Sequence, residues 1–445
     1  MSVKKDDGPT GPAGSPIRGG RADMKRRLVL ALGAVALVTG LTTVPAQAAP
    51  NTQPYVVMVK DGFDPAGVAA AGGVTPTMVF DAVGGFAANL TNTQVKRLIA
   101  NAAVQSVEVD GLFATVRPPT EPIPPAEDLA QIIGSGGRRI GLLESPTAKV
   151  DGIDERIDVD IAILDTGIRP DHPDLNVVGG VNCVNGHGWD DDDRGGHGTM
   201  VGGFAAGIDN SFGTVGVAPG ARLWAVKVAT KRGWISDSAA LCGFDWVIKH
   251  ADVIEVANMS FAGDLKNPGF MRKENAPCGV EKPSRFHEAI CEMVELGVTV
   301  VAAAGNETTD ASLLYPAAYP EVITVSATSD TDGLPGGLGP NSSCYPDEQA
   351  DDHLAFFSNY GAPVDLAAPG VCYLSTFVAP YWYAVGSGTS FATPRVAGAA
   401  ALYISTHPNA TPAQVQQALM DSAEPGPLLG DPDAYPEGLL NVRDI

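Results

Sequence analysis

Three widely separated segments carry residue types that together could perform nucleophilic catalysis. Asp165 directly follows an apolar run, Val159–Leu164, and His197 lies in a glycine-rich stretch, Gly195–Gly203. Ser390 begins a run of small residues that we predict to be a helix. A serine hydroxyl is a weak nucleophile that needs a base such as histidine to take its proton and a carboxylate to orient that base. Aspartate, histidine and serine in this chain order match one known order of such a triad.

Each segment also has a plainer interpretation when it is considered alone. Asp165 could cap a turn, and Ser390 could be an ordinary helix N-cap. The glycines around His197 could bind a phosphate, but the third glycine of a dinucleotide-binding loop is missing, and no G-x-x-x-x-G-K-[ST] motif occurs in the chain. The sequence therefore disfavours a nucleotide-dependent enzyme.

A side-chain amide stands at the end of another apolar run. Asn306 follows Val298–Ala303, where its amide could donate a hydrogen bond into a cleft. Two alternatives remain open, because Asn306 could form a turn or belong to the glycosylation sequon Asn-Glu-Thr.

Apolar runs alternate with helical patterns from about residue 155 onward, and this alternation predicts an α/β fold with a parallel sheet. Short runs that are nearly all apolar suit strands buried on both faces, and an acid at the carboxyl end of such a strand lies where open sheets place their active sites. The predicted strands are Val159–Leu164, Leu223–Val228, Val253–Met259, Val298–Ala303 and Val322–Ala327. The predicted helices span residues 197–207, 236–250, 286–296, 390–406 and 412–422.

Four motifs in this order resemble those of the subtilisin-like serine peptidases (subtilases) in a secreted bacterial form. They are Asp-Thr-Gly-Ile from Asp165, Gly-His-Gly-Thr around His197, Ala-Ala-Gly-Asn ending at Asn306, and Gly-Thr-Ser-x-Ala-x-Pro around Ser390. The resemblance implies a mostly parallel sheet flanked by helices in a catalytic domain spanning residues 151–445. It implies a serine endopeptidase that cuts extracellular proteins through an acyl-enzyme. The competing hypothesis is a binding scaffold of the same fold that has lost turnover.

The resemblance also assigns roles to individual residues. Asp165, His197 and Ser390 would form the triad, and the Asn306 side chain and the Ser390 backbone N–H would hold the oxyanion. The substrate-binding residues would be Ser260, Phe261, Ala262, Gly263, Ala304 and Gly305. The chain departs from the usual pattern at Met200, Phe391, Thr393 and Arg395, none of which replaces a proton-transferring group.

The N-terminal part of the chain is predicted to consist of segments that are removed. Residues 1–23 are polar and read as a non-native or disordered extension, with Met24 as the favoured start. Residues 24–48 have the basic, apolar and A-x-A pattern of a signal peptide rather than of a membrane span. Residues 54–116 are similar to the family's inhibitor-type α+β propeptide, and residues 117–150 contain a Pro-rich linker and the start of the mature chain. We expect a secreted, extracellular product with no membrane attachment after processing.

Composition and cysteine count limit the partners. The 445 residues carry a net charge of −22, which argues against nucleic acid, and we expect a monomer that binds polypeptide substrates and its own propeptide. Exported proteins with an even number of cysteines favour disulfides. The short loop between Cys278 and Cys291 favours a local bridge, and Cys344–Cys372 and Cys183–Cys242 are offered as the remaining pairs. The chemistry needs no cofactor. Structural calcium is compatible with the aspartate run at residues 190–193, which also reads as a solvated loop, and no metal site is assigned.

Overall fold

The helices and strands are those of a computed structural model, which describes residues 51–115, 120–122, 129–189, 195–264, 277–279, 284–426 and 428–445. The helices are α1 (Pro65–Ala71), α2 (Asn92–Ile99), α3 (Ser135–Arg139), α4 (His197–Ala206), α5 (Asp237–Lys249), α6 (Arg285–Glu295), α7 (Thr389–Thr406) and α8 (Pro412–Ser422). The strands are β1 (Gln53–Val59), β2 (Met78–Phe80), β3 (Gly85–Leu90), β4 (Val104–Val109), β5 (Leu112–Thr115), β6 (Thr120–Pro122), β7 (Asp160–Asp165), β8 (Val177–Asn182), β9 (Arg222–Lys227), β10 (Trp234–Ser236), β11 (Val256–Met259), β12 (Phe261–Asp264), β13 (Thr299–Ala303), β14 (Leu314–Tyr315), β15 (Ile323–Thr328), β16 (Leu366–Pro369), β17 (Tyr373–Thr376), β18 (Tyr383–Gly386) and β19 (Gly438–Leu439).

Eight strands form one parallel sheet, the main sheet, in the order β19-β16-β15-β13-β11-β7-β9-β8. Its central strands are buried throughout and mostly apolar, because helices cover both faces. The chain order leaves β7 between β9 and β11, so the carboxyl end of β7, with Asp165, lies in the middle of one sheet edge. The predicted α/β class with a mostly parallel sheet is confirmed.

Alternate residues of the central strands contribute to two different cores. Ile161 and Ile163 of β7 pack with α4 and α7, whereas Ala162 and Leu164 pack with α5 and α6. This period of two is the signature of a strand with two buried faces. As a result, α4 and α7 share one face of the sheet, and their first residues lie close to its carboxyl edge.

A separate antiparallel sheet, the N-terminal sheet, has the order β2-β3-β1-β4. One face, with Val57 and Val59, packs on α1 and α2, and the other face, with Val56 and Met58, packs on the core beneath α5 and α6. Asp245 of α5 accepts hydrogen bonds from the backbone N–H groups of Ala82 and Val83 at 2.6 and 3.1 Å. The N-terminal sheet is therefore docked on α5 and α6 through both apolar and polar contacts.

The segment predicted to hold a Pro-rich linker and the start of the mature chain has regular structure in its described part. Within residues 117–150, β6 pairs with β18, and α3 is followed by a short 3-10 helix, Leu142–Glu144. Ile140 and Leu142 are fully buried in the core that contains α4 and α7, so the chain around α3 belongs to the packed body. The Pro-rich residues 123–128 and the predicted extension and signal peptide at 1–48 lie outside the described residues.

Three disulfides link the six cysteines, as Cys183–Cys242, Cys278–Cys291 and Cys344–Cys372. Each of them ties a surface loop to a regular element or to another loop. Among the described residues, no helix combines the length and the apolar character that crossing a bilayer requires.

Candidate active site

Asp165 and His197 are in direct contact at the carboxyl edge of the main sheet. Asp165 ends β7 and is fully buried, and His197 is the first residue of α4. Nδ1 of His197 lies 2.8 and 2.9 Å from the two carboxylate oxygens of Asp165. The bond orients the imidazole, because Nδ1–H must donate to a carboxylate, which leaves Nε2 as the atom able to accept a proton.

Glycines on both sides of His197 allow this close approach. Gly196 has φ +78, and a Cβ there would lie 2.1 Å from the ring of Phe377. At Gly198 a Cβ would lie 2.1 Å from the Gly167 carbonyl oxygen and 3.0 Å from Cβ of Asp165. The glycine-rich stretch is therefore explained by packing of α4 against the turn that follows Asp165.

Ser390 is the second residue of α7 and is fully buried. Pro394 follows four residues later and lies inside the helix rather than at its first position, so the Ser390 carbonyl has no i+4 N–H partner. The hydroxyl of Ser260 donates to this carbonyl at 2.9 Å, and the Ser390 hydroxyl donates to the Ser260 carbonyl at 3.1 Å. The proline thus frees an acceptor that links the Ser390 turn to Ser260.

The hydroxyl of Ser390 and Nε2 of His197 are not hydrogen bonded to each other. Nε2 is buried and has no hydrogen-bond partner, while the hydroxyl is directed at Ser260. The two helices are nevertheless in contact here, because the ring of Phe391 lies 5.5 Å from the His197 ring. Catalytic hydrogen bonds are often loose without substrate, so this geometry is compatible with a base that engages the serine on binding.

Asn306 follows β13 and contacts the first residue of α7. Its Oδ1 accepts hydrogen bonds from the Thr389 backbone N–H at 3.0 Å and from the Thr389 hydroxyl at 2.9 Å. Because a backbone N–H can only donate, the atom facing Thr389 must be the oxygen. The amide nitrogen is therefore left to donate to a ligand beside Ser390.

The predicted substrate-binding segments surround the same point. In β12, Phe261 and Ala262 pair with Thr115 and Ala114 of β5, and Gly263 pairs with Tyr315. Ala304 is fully buried after β13. Gly305 has φ +103, and a Cβ there would lie 2.6 Å from a methyl group of Leu314. The structure brings all six predicted substrate-binding residues to the edge that carries Asp165, His197 and Ser390.

Two hydroxyl residues at the site were missed by the sequence interpretation. The Thr166 hydroxyl accepts the Gly198 N–H at 3.0 Å, and Thr389 holds Asn306 as described above. Each directly adjoins a singled-out residue, Asp165 or Ser390, and this adjacency was the only signal in the sequence. Lys227, at the end of β9, was also missed, because in the sequence it is a single cation within the predicted strand Leu223–Val228 and adjoins no motif.

Burial shifts the pKa of several groups packed near α4 and α7. Burial raises the pKa of Asp174 to about 7 against the hydrogen bonds it accepts from Thr214, Asn210 and Tyr383. Burial likewise lowers the pKa of Arg395 to about 10, where the guanidinium stacks between the rings of Phe204 and Tyr373. These groups belong to the support of the two helices rather than to the edge where His197 and Ser390 meet.

One group of carboxylates could hold a cation. Asp330, Asp332 and Asp351 each offer an oxygen within 4.8 Å of the others, in a loop after β15. A second group, around His287 and Glu321, includes Cys278 and Cys291, whose sulfurs are joined in a disulfide. The aspartate run 190–193 lies outside the described residues.

A buried carboxylate–imidazole pair next to a serine at a helix N-terminus, on the carboxyl edge of a parallel sheet, is the arrangement of a serine hydrolase. The chain matches the Subtilase family over residues 157–439. It is 35% identical to subtilisin NAT from Bacillus subtilis subsp. natto over 367 residues, which cover 82% of this chain and 81% of that protein. It is also 35% identical to subtilisin DY from Bacillus licheniformis over 288 residues, 64% of this chain and 89% of that protein. The chain belongs to the subtilase family, and it is a serine endopeptidase.

Proposed function

We propose that this endopeptidase hydrolyses peptide bonds of extracellular proteins through Ser390, His197 and Asp165. Nε2 of His197 takes the proton of the Ser390 hydroxyl while Oγ forms a bond to the carbonyl carbon of the substrate. The proton then passes to the leaving amine as the C–N bond breaks, and water later hydrolyses the acyl-enzyme by the same route. Asp165 keeps Nδ1 protonated and stabilises the imidazolium. The Asp165–His197 contact and the unpartnered Nε2 support this assignment.

The oxyanion of the tetrahedral intermediate would be held by Nδ2 of Asn306 and the backbone N–H of Ser390. The support is that Thr389 occupies Oδ1 of Asn306, so that the amide nitrogen faces away from α7. The N-terminus of α7 adds a favourable field for negative charge. The Asn306 amide and the Ser390 backbone N–H would stabilise the oxyanion without a metal ion or an organic cofactor.

The observation that carries the proposal is a strand of the chain itself, β5, that pairs with the predicted substrate-binding segment. β5 lies between β10 and β12 and pairs antiparallel with both. Ala114 pairs with Ala262 and Thr115 with Phe261, so β5 runs along β12 toward Ser260. The carbonyl of Ser260 accepts a hydrogen bond from the Ser390 hydroxyl. Adding a strand to exposed sheet edges is a general mode of peptide recognition. We infer that an extended substrate binds Ser260–Gly263 in the same way, with Ala304 and Gly305 walling the pocket of the residue before the cut.

Side chains of β5 suggest what the substrate strand presents. Phe113 is buried, and its ring lies 5.7 Å from that of Phe261, 6.1 Å from that of Phe286 and 5.5 Å from that of Tyr315. Such aromatic contacts add to the burial of apolar area. The same pocket would favour a large apolar side chain at the matching position of a protein substrate.

We further propose that residues 54–116 are a propeptide that blocks the site until it is cut. β5 reaches the site from one side. β6 reaches it from the other side, because it pairs with β18, which ends at Gly386, four residues before Ser390. The cut would therefore fall between Thr115 and Thr120. The secretory pattern at residues 24–48 and the disulfides support export of this precursor, and we propose that the processed enzyme is an extracellular monomer.

Processing of the purified precursor tests these proposals together. The wild-type precursor should yield a new N-terminus between residues 116 and 120 and should be labelled by a fluorophosphonate, which reacts only with an activated serine. Ser390→Ala should remain full length and unlabelled, and Ser405→Ala, on the same helix, should behave as wild type. A wild-type precursor that neither cuts itself nor reacts would favour the non-catalytic scaffold instead.

We propose a structural calcium ion at Asp330, Asp332 and Asp351. Oδ2 of Asp330 is buried without a hydrogen-bond partner, and the nearest side-chain cation, Nε of Arg139, is 3.8 Å away. Burial raises the pKa of Asp330 to about 6, which a bound cation would reverse. Calcium should raise the melting temperature of the wild type but not of Asp332→Asn, in which an exposed ligand is lost. An equal rise in both would place any calcium elsewhere.

A further inference from the structure

Lys227 is a buried cation that forms no ion pair with the described part of the chain. It is the last residue of β9 and is 5% exposed. Its Nζ donates a short hydrogen bond to the carbonyl oxygen of Thr166, and among the described residues no acidic side chain lies within 4.0 Å of it. Burying an ammonium group without an opposite charge is unfavourable, so a lysine at this position needs a reason other than stability.

The register of the main sheet places Lys227 beside Asp165. The two residues are direct partners in the parallel pairing of β7 with β9. In each strand the residues two and four positions earlier, Ile161 and Ile163 in β7 and Leu223 and Ala225 in β9, pack in the core that contains α4 and α7. Because side chains alternate between faces, Asp165 and Lys227 project to this same face. The ammonium group and the carboxylate that orients His197 are therefore neighbours in a dry part of the protein.

The hydrogen bond of Lys227 ends in the turn that joins Asp165 to α4. Thr166 donates its backbone N–H to Oδ1 of Asp165 at 2.6 Å, and its hydroxyl accepts the N–H of Gly198, the residue after His197, at 3.0 Å. Lys227 holds the carbonyl of this same Thr166. One residue thus connects the ammonium group, the carboxylate and the first turn of the histidine helix.

We propose that Lys227 is a positioning residue that holds the Asp165–Thr166 turn against the first turn of α4 and so fixes the Asp165–His197 pair for proton transfer. A base that takes a proton in the transition state needs its orienting carboxylate in a fixed place, so a loosened turn should slow the chemical step more than it weakens substrate binding. This inference rests on the proposed role of His197, and it adds a residue that touches neither the substrate nor the reacting atoms.

Among the described residues, the other charged groups near α4 have partners of their own. Arg395 of α7 stacks on Phe204 and Tyr373, and Arg169, before α4, pairs with Asp171. Asp174 accepts hydrogen bonds from Asn210 and Thr214, and His172 contacts the Trp382 carbonyl. The Thr166 carbonyl is bound by Lys227 rather than by any of these groups, so the test changes Lys227.

The direct test is steady-state kinetics of the processed enzyme on a peptide amide. Lys227→Met keeps the length of the side chain and removes the donor to the Thr166 carbonyl, whereas Lys227→Arg keeps a donor. With Met kcat should fall about 10- to 100-fold with little change in KM, as expected when a group that acts in the transition state is displaced. With Arg the loss should be smaller, and Lys149→Met, at an exposed lysine, should leave both constants unchanged.

A spectroscopic readout separates this proposal from the proposed function. In the full-length Ser390→Ala precursor, the NMR signal of the His197 Nδ1 proton, which reports the hydrogen bond to Asp165, should shift in Lys227→Met and be restored in Lys227→Arg. An unchanged kcat and an unchanged Nδ1 proton signal in Lys227→Met, with only a lower melting temperature, would make Lys227 a structural residue and overturn the proposal. If Lys227→Met does not fold, a loss of kcat in Lys227→Arg as large as that expected for Met would overturn it as well. Failure of the wild type to react with a fluorophosphonate would instead contradict the proposed function, while the NMR result would still stand.

Discussion

The helices on the two faces of the main sheet begin in different ways. α5 and α6, which carry the N-terminal sheet, start with Ser236 and Ser284, whose hydroxyls accept N–H groups of their own first turns. α4 and α7, which carry His197 and Ser390, start after Gly196 and Gly388 with no side-chain cap of their own. A missing cap costs about 1 kcal/mol, so the difference calls for a physical reason.

The first turns of α4 and α7 are bound by side chains from other parts of the chain. Thr166, next to Asp165, accepts an N–H group of α4, and Asn306 accepts an N–H group of α7. A local cap stabilises a helix on its own, whereas a remote cap does so only once the sheet has formed. Remote caps therefore couple the position of His197 to that of Asp165 and the position of Ser390 to that of Asn306, which local serines could not do.

The largest effect is expected from removing the remote cap of α7. Asn306→Ala should lower kcat about 100- to 1000-fold with little change in KM, since the amide would act mainly on the transition state. Steady-state kinetics on a peptide ester and a peptide amide would measure this. Thr389→Val is the matched control, because it removes one contact to Oδ1 but keeps the amide, and its loss should stay below about tenfold. Equal losses in both variants would mean that Asn306 acts only as a cap.

The remote cap of α4 can be compared directly with a local cap. Thr166→Val is nearly isosteric and leaves the Gly198 N–H without an acceptor, so kcat/KM should fall about tenfold and stability by about 1 kcal/mol. Ser284→Ala removes the local cap of α6 and should cost a similar free energy of unfolding with unchanged kcat/KM in the processed enzyme. Denaturant unfolding and kinetics on both variants decide the question. Loss of activity in proportion to stability in both would remove the distinction between the two kinds of cap.

The strands of the main sheet could be predicted where their composition left little choice. Val159–Leu164 and Val298–Ala303 are mostly apolar and rich in β-branched residues, and the structure has strands shifted by one residue at most at each end. β8 was missed because Val177–Asn182 contains two adjacent glycines, and β16 because Leu366–Pro369 lacks β-branched residues. Strand propensity is weak in such segments, and only the neighbouring strands make them part of the sheet.

The candidate site divides in the same way between local and non-local information. Asp165, His197, Asn306 and Ser390 stand out because each lies at a strand end or helix start within a recognisable motif. Lys227 could not be singled out, because its relation to Asp165 depends on the register of β7 with β9, across more than sixty residues. The position of β5 between β10 and β12 depends on contacts over still longer separations.

Docking of the N-terminal sheet on the locally capped helices should be weakened moderately by Asp245→Ala. This change removes the acceptor for the N–H groups of Ala82 and Val83 and should cost about 1–2 kcal/mol, or roughly tenfold in the affinity of the cut propeptide for the enzyme. Inhibition of peptide hydrolysis by the released propeptide measures this affinity. Asp252→Ala, just beyond the end of α5, is the control, and an equal effect there would indicate general destabilisation rather than loss of the two hydrogen bonds.

The smallest effect concerns pH at the start of α5. Burial raises the pKa of Asp237 to about 7, and Asp110 and Glu108 of the N-terminal sheet add to the rise, while the hydrogen bond from Gly111 opposes it. If residues 54–116 leave after the cut, as proposed, those two carboxylates leave with them, so the pKa of Asp237 should fall toward its ordinary value. Docking is then coupled to proton uptake: it is strongest at acidic pH and weakens as the pH rises through about 7.

Inhibition by the cut propeptide should therefore weaken by up to about tenfold between pH 6 and pH 8, and Asp237→Asn, which carries no charge at any pH, should flatten this dependence. Asp444→Asn, near the C-terminus, should keep it. The same slope in Asp237→Asn as in wild type would assign the pH dependence to another group and would leave α5, like α6, a docking helix without a proton-linked contact. A flattened slope would show that the docking helices hold the propeptide through contacts that neutral pH loosens, whereas the remote caps of α4 and α7 contain no group of this kind.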